Sequence, residues 1–378
     1  MHISLNKLYL LCLLRGVKAI KVASSSTGDI QEVLKNINQP DIQLIIYYYS
    51  INLKSRELHK TIQEKYPHIK SMGCTMIGGW SDKGAIDNGI VAMSLSDNEV
   101  ENVVISFQSG VKSDPAEAAK KIIADISQQI DLQEINPIDY YGIILFDGLC
   151  LGEIIMRELT VSKKFTVPII GGAAADDLTF TETLVSAGNQ VSSDAVALMI
   201  VKSKVPFYYN HYVHYEPTGS DFIISNATPD KRIVWEIEGK PAADFYAKLL
   251  GLNRVEDINN SSFSNNPLGV VIGEAVYTRS PNSIIDGKGI QFYCSIEAGT
   301  KMHLLKKTNI IEQYLEKIEG GMLFNCVLRY LEMKQENNLK QFAEVFDDIP
   351  FIGFNTYGEE LFTHHNQTLT ALFLGSHL

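Results

Sequence analysis

Apolar and polar segments follow one another in the same order at three places along the chain. In the first, the apolar run QLIIYYYS precedes the helix-like segment SRELHKTIQEKY, a second apolar run and a glycine-rich turn. The same order returns near residue 140 and near residue 320. Each stretch from first to closing strand spans roughly 50 residues, the size of one supersecondary unit. The pattern predicts an α/β fold built from repeated β-α-β-β units.

The segment between the second and third units has a different pattern. A helix is predicted to begin near Pro241, a favoured first helical position. The following segment LGVVIGEAVYTRSPNSIIDGKGIQFYC reads as two or three antiparallel strands with turns at SPN and DGKG. We therefore predict an N-terminal domain over residues 18–215 and a C-terminal domain over residues 216–375, with an antiparallel β insertion from about 265 to 305.

Composition narrows the classes of function. The 378 residues carry a formal net charge of -11, which argues against nucleic-acid binding by phosphate neutralisation. The five cysteines are scattered and lack CxxC spacing, so a reducing cytoplasm is expected. The N-terminal apolar run covers only about seven residues before Arg15, and we predict neither an export signal nor a membrane span. Residues 1–15 are expected to form an extension ahead of a first strand in VKAIKVASS.

The segment IPFIGFNTYGEELFTHHNQT concentrates polar residues between two apolar runs. It occupies the same place in its unit as MIGGWSDKGAIDNG and IIGGAAADDLTF occupy in theirs. Ligand sites in α/β sheets form beyond the carboxyl ends of strands. Glycines there permit a positive φ or the close approach of a ligand. The alternative is that these glycines only make turns.

Five motifs in this order resemble the FIST family, with its N-terminal and C-terminal FIST domains. They are GCTMIGGWSDKG, VPIIGGAAADD, EIEGKPAADFYAKLLG, NCVLR and GFNTYGEELFTHHNQT, and the resemblance spans about residues 18 to 375. The first motif departs from the family's frequent GCSTxGE form, because GCTMIGG lacks the acidic residue. The C-terminal motifs match more closely.

The resemblance implies a cytoplasmic sensory protein that binds a small effector, such as an amino acid. One branch of the family consists of stand-alone haem proteins that sense nitric oxide and regulate a histidine kinase. The two domains leave no kinase or cyclase segment in this chain, so we expect a signalling partner in trans. A haem-based sensor and an amino-acid receptor both remain open.

Candidate effector ligands come from the motifs of the third unit. An arginine, a glutamate, an asparagine and a threonine hydroxyl can together bind the carboxylate and ammonium groups of a zwitterion. We predict that the effector is bound by Cys326, Arg329, Gly353, Asn355, Gly358, Glu359, His365, Asn366 and Thr368. The alternatives are that Arg329 and Glu359 form a structural ion pair and that Cys326 is an inert buried thiol.

Haem would need an axial ligand within an aromatic pocket. The segment PFYYNHYVHYEP places His211 and His214 among tyrosines, on opposite faces if the segment is a strand. Without a CxxCH motif any haem must be non-covalent. His303 and His365 are further candidate ligands, and the alternative is that the tyrosines pack at a domain contact.

Enzyme signatures such as GxSxG, a P-loop or HExxH are missing from the sequence. The acidic segment DDLTFTE is interpreted as a solvated turn, and we predict no metal site. We therefore expect a binding protein. An unrecognised hydrolase or transferase that uses Cys326 or Glu359 is the remaining alternative.

Overall fold

The computed structural model describes residues 20–53, 57–310, 320–346 and 349–375. The predicted extension over residues 1–15 lies outside these ranges. Within them, no helix has the length and apolar character needed to cross a bilayer. The first strand, β1, covers Lys21–Ser25 and lies inside the predicted segment VKAIKVASS.

The first unit follows the predicted order, with its long apolar run buried as a strand. Asp29 caps its first helix by accepting hydrogen bonds from the backbone N–H groups of Gln31 and Glu32. After β1, its elements are α1 (Ile30–Asn36), β2 (Ile42–Ser50), α2 (Leu58–Lys65), β3 (Lys70–Met76), β4 (Gly79–Ser81), β5 (Gly84–Ile86) and β6 (Ile90–Ser96).

The second unit repeats this order element by element. Asp114 caps its long first helix through the N–H of Glu117, and Pro115 occupies the first turn. Its elements are β7 (Val100–Ser109), α3 (Pro115–Gln129), β8 (Tyr140–Phe146), α4 (Gly152–Val161), β9 (Ile169–Ala173), β10 (Val185–Ala187), β11 (Gln190–Ser192) and β12 (Ala195–Ser203).

The third unit begins with β13 (Phe207–Val213) and is then interrupted by an antiparallel insertion. The insertion occupies the place of the first helix of the other two units. It contains β14 (Tyr215–Thr228), β15 (Ile233–Ile237), β16 (Lys240–Pro241), α5 (Ala242–Leu249), α6 (Asn260–Asn265), β17 (Leu268–Ile272), β18 (Ala275–Arg279), β19 (Pro281–Ile285), β20 (Gly289–Phe292) and β21 (Lys301–Lys307), with short 3-10 turns at Pro229–Lys231 and Val255–Asp257.

The insertion is larger than the sequence indicated, because it begins with β14. This fourteen-residue strand has a largely polar sequence and pairs with β15 and β21. The predicted turn at DGKG is confirmed, with positive φ at Asp286 and Gly287 as a tight hairpin requires. The predicted turn at SPN is wrong in part, since Pro281 and Asn282 open strand β19. The predicted domain boundary falls at the start of β14 and stays a prediction.

The third unit then resumes as predicted. Its remaining elements are β22 (Gly321–Cys326), α7 (Val327–Gln335), α8 (Leu339–Glu344), β23 (Phe351–Thr356), β24 (Glu359–Leu361), β25 (Thr363–His365) and β26 (Thr368–Leu374). These findings confirm the α/β fold class, the repeated units and the antiparallel insertion in the C-terminal part.

The three units exchange their hairpins in a closed cycle. Within each unit, the strands on either side of the second helix run parallel, as in β2–β3, β8–β9 and β22–β23. The hairpin that follows joins the sheet of another unit: β4 pairs with β23, β10 with β3, and β24 with β9. Each sheet is therefore completed by a neighbouring unit, which the sequence did not indicate.

The inner faces of the three sheets share one apolar core. Tyr48, Ile143 and Phe324 are examples from the three units, and all three are fully buried. Helices cover the outer face of each sheet. The hairpin exchange brings the end of the chain against the second unit, which positions the candidate site.

Candidate functional site

The carboxyl ends of β22 and β23 lie side by side and carry several predicted residues. Cys326 ends β22 and pairs in register with Thr356 at the end of β23. Helix α7 begins directly after Cys326, so Arg329 lies in its first turn. The exchanged strand β24 begins three residues after Thr356 and places Glu359 beside this edge. Local chain geometry thus gathers the predicted residues at one end of the third unit.

Glu359 is fully buried at this edge. Its Oε2 accepts hydrogen bonds from the Thr368 backbone N–H at 3.2 Å and the Thr368 hydroxyl at 2.7 Å. The Cys326 thiol lies beside the same carboxyl. Burial raises the pKa of Glu359 to about 8, so the carboxyl is mostly protonated at neutral pH. Three of the predicted residues therefore meet, as a neutral cluster.

A second group of polar side chains forms a continuous buried chain. Arg329 donates from Nε to Asn325 Oδ1 at 3.1 Å and from Nη1 to His214 Nδ1 at 2.5 Å. His214 Nε2 lies 3.0 Å from Glu332 Oε2, whose other oxygen lies 2.7 Å from Lys307 Nζ. We call the following six residues the polar chain: Asn355, Asn325, Arg329, His214, Glu332 and Lys307.

The polar chain joins the first unit to the insertion. At one end, Asn355 Oδ1 accepts hydrogen bonds from Trp80 Nε1 and from Asn325 Nδ2, both at 2.8 Å. At the other end, hydrogen bonds from His214 and Lys307 outweigh the effect of burial and lower the pKa of Glu332 to about 2. A buried charge network with this many partners holds its elements in one arrangement.

The exposed end of the polar chain opens into a cavity of about 520 Å³. The cavity lies between α6, α7 and the start of β19, and we call it the α7 cavity. Glu332, Lys307 and Gln367 line it. Gln367 accepts a 2.6 Å hydrogen bond from the Ser280 hydroxyl and donates from Nε2 to the Tyr215 hydroxyl at 2.7 Å. The volume of the α7 cavity is typical of small-molecule sites.

Two predicted glycines have packing roles, and neither has a positive φ. A Cβ on Gly353 would lie 2.8 Å from both the carbonyl oxygen and the Cβ of Leu323 on the paired strand β22. A Cβ on Gly358 would lie 2.1 Å from Cε1 of His364. The close approach expected at these glycines is made by the protein itself.

His365 and Asn366 lie apart from the polar chain. The His365 ring packs against that of His211, with centroids 4.3 Å apart, and stacks on Tyr277 of the insertion. His365 Nε2 lies 3.0 Å from the Leu361 carbonyl, so Nε2 carries the proton. Asn366 Nδ2 lies 3.5 Å from Nε2 of His364. The predicted polar residues therefore lie in three separate places. Cys326 and Thr368 lie with Glu359, Arg329 and Asn355 belong to the polar chain, and His365 and Asn366 lie apart from both.

The cross-strand pair of His211 and Thr370, beside His365, matches an apolar pair in the second unit. Thr370 on β26 pairs with both Phe324 and His211. The matching places in the second unit hold Ala197 and Phe107. His365 Nδ1, Thr370 Oγ1 and Glu359 Oε1 are buried and make no hydrogen bond to a described residue. The third unit thus carries polar groups where its repeat carries hydrocarbon.

The predicted haem ligands do not suit an axial position in this arrangement. His214 uses both ring nitrogens, toward Arg329 and Glu332. His211 retains an unpartnered Nε2, but its ring lies against His365 with no room between the rings for a porphyrin. His303 on β21, a further candidate ligand, is half-buried. Haem binding stays a prediction that this geometry does not favour.

The acidic segment DDLTFTE is ordered by its first aspartate rather than solvated throughout. Asp176 is buried and accepts hydrogen bonds from the N–H groups of Phe180 and Thr181 and from the Tyr357 hydroxyl. The hydrogen bonds that Asp176 accepts from Tyr357 and from these backbone groups lower its pKa despite burial. The carboxylate therefore fixes a loop against the third unit.

Sequence analysis missed the residues that line the α7 cavity. Glu332 lies three residues after Arg329 on the same helix face, and this spacing was the available signal. Lys307 and Ser280 come from the insertion, whose position against α7 cannot be read from local sequence. Gln367 lies between the predicted residues Asn366 and Thr368 but was not itself predicted as a ligand contact.

Comparison with family models divides the chain inside the insertion, between β16 and α5. The FIST N domain matches residues 43–240, and the FIST C domain matches residues 242–361. An uncharacterized protein of Methanocaldococcus jannaschii is 24% identical over 227 residues, which cover 58% of this chain and 43% of that protein. The chain spans less than half the length of this relative.

One solved structure aligns over nearly the whole chain without close similarity. It is a chorismatase, and the alignment covers 94% of this chain and 97% of that one, with a TM-score of 0.34 and 8% sequence identity. This likeness carries no argument about activity. The two FIST domain matches together cover most of the sequence, in the order of the units described above. The chain belongs to the FIST family.

Proposed function

We propose that this protein is a cytoplasmic sensory receptor that binds a small effector in the α7 cavity and regulates a signalling protein in trans. FIST domains are sensory, ligand-binding domains of signal transduction. The observation that carries the proposal is the polar chain, which ends at Glu332 and Lys307 on the cavity wall. A ligand there contacts residues that are linked to Arg329 and, through it, to the first unit.

Ligand binding at this place has a structural route to the rest of the molecule. The cavity wall includes residues of the insertion and of α7. A ligand that changes their separation acts on His214 and Arg329, whose partners Asn325 and Asn355 lie at the sheet edge that receives Trp80. The effector is therefore proposed to shift the position of the insertion relative to the three sheets.

Two finer versions of the function come from the family resemblance. An amino acid would replace the Lys307–Glu332 ion pair by contacts to its own carboxylate and ammonium groups. A haem-based nitric oxide sensor acting on a histidine kinase would need an axial histidine, either His303 or one released from the contacts described above. An absorption spectrum of protein purified from haem-replete cells tests the second version. A Soret band that shifts with nitric oxide would support it.

The test of the receptor proposal is a thermal-shift screen of small metabolites, repeated on two cavity-filling variants. Asn282→Trp fills the α7 cavity, whereas Gln190→Trp fills a separate surface cavity near Lys70. We expect compounds that raise the melting temperature of the wild type and of Gln190→Trp but not of Asn282→Trp. Compounds that stabilise Asn282→Trp equally would place the effector elsewhere and overturn the proposal.

A further inference from the structure

The charged side chains of the α7 cavity are already satisfied by one another. Glu332 directs one oxygen to His214 and the other to Lys307. Lys307 also bonds Glu336, whose second oxygen accepts a 3.2 Å hydrogen bond from Asn338. Each carboxylate oxygen of Glu332 and Glu336 therefore lies near a donor, although Glu332 Oε1 meets Lys307 Nζ as an ion pair without hydrogen-bond geometry. A charged ligand would have to break one of these contacts before making its own.

Several uncharged polar groups of the cavity make no hydrogen bond to a described residue. They include the side chains of Asn260 and Gln335, which are exposed to solvent, and that of Asn282, which is half-buried. Each amide offers donors and an acceptor side by side. The Tyr293 hydroxyl is the fourth such group, and burial raises its pKa, so it remains a donor. These groups come from α6, α7 and β19–β20, on different sides of the cavity.

Apolar surface lies between these polar groups. Leu328 and Leu331 of α7 face the cavity together with Phe263 of α6. An aromatic ring and aliphatic side chains beside free amides suit a ligand with an apolar face and a polar edge. The same side chains give an ammonium or carboxylate group no free counter-charge.

We infer that the effector of the α7 cavity is an uncharged small molecule with paired hydrogen-bond donors and acceptors on its edge and an apolar face, the chemistry shared by neutral sugars and nucleobases. This inference rests on the proposed function and narrows its ligand class. The side-chain amides bind adjacent hydroxyl groups or an adjacent N–H and carbonyl. The Lys307–Glu332–Glu336 ion pairs stay intact and close one end of the cavity.

The experiment compares three ligand panels by calorimetry on the full chain. The panels are neutral mono- and disaccharides, nucleobases and nucleosides, and charged amino acids with organic acids. We expect a member of one neutral panel to bind, with a dissociation constant that changes less than about twofold between low and high salt. A sugar or a nucleobase result identifies which source of this chemistry applies.

Variants locate the binding. Asn282→Ala and Gln335→Ala should each weaken it about 3- to 10-fold, the usual effect of one lost neutral hydrogen bond. The matched control Asn98→Ala, an exposed turn residue of the first unit, should leave it unchanged. A charged ligand that binds and is lost in Asn282→Trp would overturn the inference while preserving the receptor proposal. A neutral ligand unaffected by all cavity variants would overturn both.

Discussion

Arg329 donates a hydrogen bond from Nη1 to Nδ1 of His214 across 2.5 Å. Because a guanidinium only donates, His214 must accept at Nδ1 and carry its proton on Nε2, which faces Glu332. Burial and the charge of Arg329 lower the pKa of His214 to about 4. The imidazole is therefore neutral at physiological pH and relays between a buried cation and a carboxylate.

The first prediction concerns the stability contributed by Arg329. The sequence predicts that Arg329→Ala weakens effector binding by about 1.5 to 3 kcal/mol with little change in folding. The side chain is fully buried, however, and its removal leaves Asn325 and His214 without their partner. We expect Arg329→Ala to lower the free energy of unfolding by about 3 to 5 kcal/mol, measured by urea denaturation.

Arg254→Ala is the matched control, because Arg254 is exposed and, among the described residues, forms an ion pair only with Asp257. Its effect on the free energy of unfolding should stay within about 0.5 kcal/mol. If Arg329→Ala unfolds like the wild type but fails to bind an identified effector, Arg329 contacts the ligand directly. The polar chain would then not be structural.

The second prediction concerns pH. Burial raises the pKa of Glu359 to about 8 from its ordinary value of 4.5. The folded state therefore holds this proton more tightly than the unfolded chain, and the associated stability is lost as pH rises from about 4.5 to 8. Glu359→Gln cannot titrate. The free energy of unfolding of Glu359→Gln, relative to the wild type, should therefore rise with pH across this window and level off above it. The total rise should be a few kcal/mol, since each unit of pKa shift corresponds to about 1.4 kcal/mol.

Urea denaturation at half-unit pH intervals measures this difference, and Glu64→Gln on the exposed part of α2 serves as the control. Identical pH profiles for the two variants would show that Glu359 ionises normally in the folded protein. The neutral hydrogen bonds to Thr368 would then be misassigned.

The repeated glycines show what the sequence could and could not reveal. Gly73, Gly171 and Gly353 occupy the same register position in the three units, each opposite the middle of the parallel partner strand. Gly171 and Gly353 were visible in the sequence as glycines after apolar runs, and they were interpreted as turns or as places where a ligand comes close. Their physical cause, close contact with the neighbouring backbone, depends on strand register, which a single chain pattern does not specify.

The third prediction separates packing from ligand contact at these glycines. A Cβ at residue 171 would lie 1.8 Å from the Ile144 carbonyl oxygen, whereas one at residue 353 would lie 2.8 Å from that of Leu323. We expect Gly353→Ala to cost about 1 to 3 kcal/mol in the free energy of unfolding and Gly171→Ala to cost more. Effector affinity of folded Gly353→Ala should equal that of the wild type. Lost affinity with unchanged stability would restore the predicted ligand role of Gly353.

The site was predicted less completely than the fold, for a related reason. Polar residues after β23 marked the correct end of the third unit, and Glu359 and Thr368 do meet there. The α7 cavity depends instead on where the insertion docks, which joins residues about 50 to 100 positions apart in sequence, such as Gln367 and Ser280. The hairpin exchange was equally hidden, because each hairpin strand is only three residues long and its sequence does not select a partner sheet.

The last prediction follows from that exchange. The predicted N-terminal domain over residues 18–215 should not fold as an independent unit, because strand β9 loses its partner β24 and the β4–β5 hairpin loses β23. Trp80 also loses its hydrogen bond to Asn355, and the shared core loses Phe324 and its neighbours. We expect this fragment to show no cooperative thermal transition by circular dichroism and to aggregate on size exclusion. Co-expression with residues 216–375 should restore a soluble complex with one transition, since it returns both missing strands. A monomeric 18–215 fragment that unfolds cooperatively would show that the first two sheets are stable without the strands that the third unit contributes.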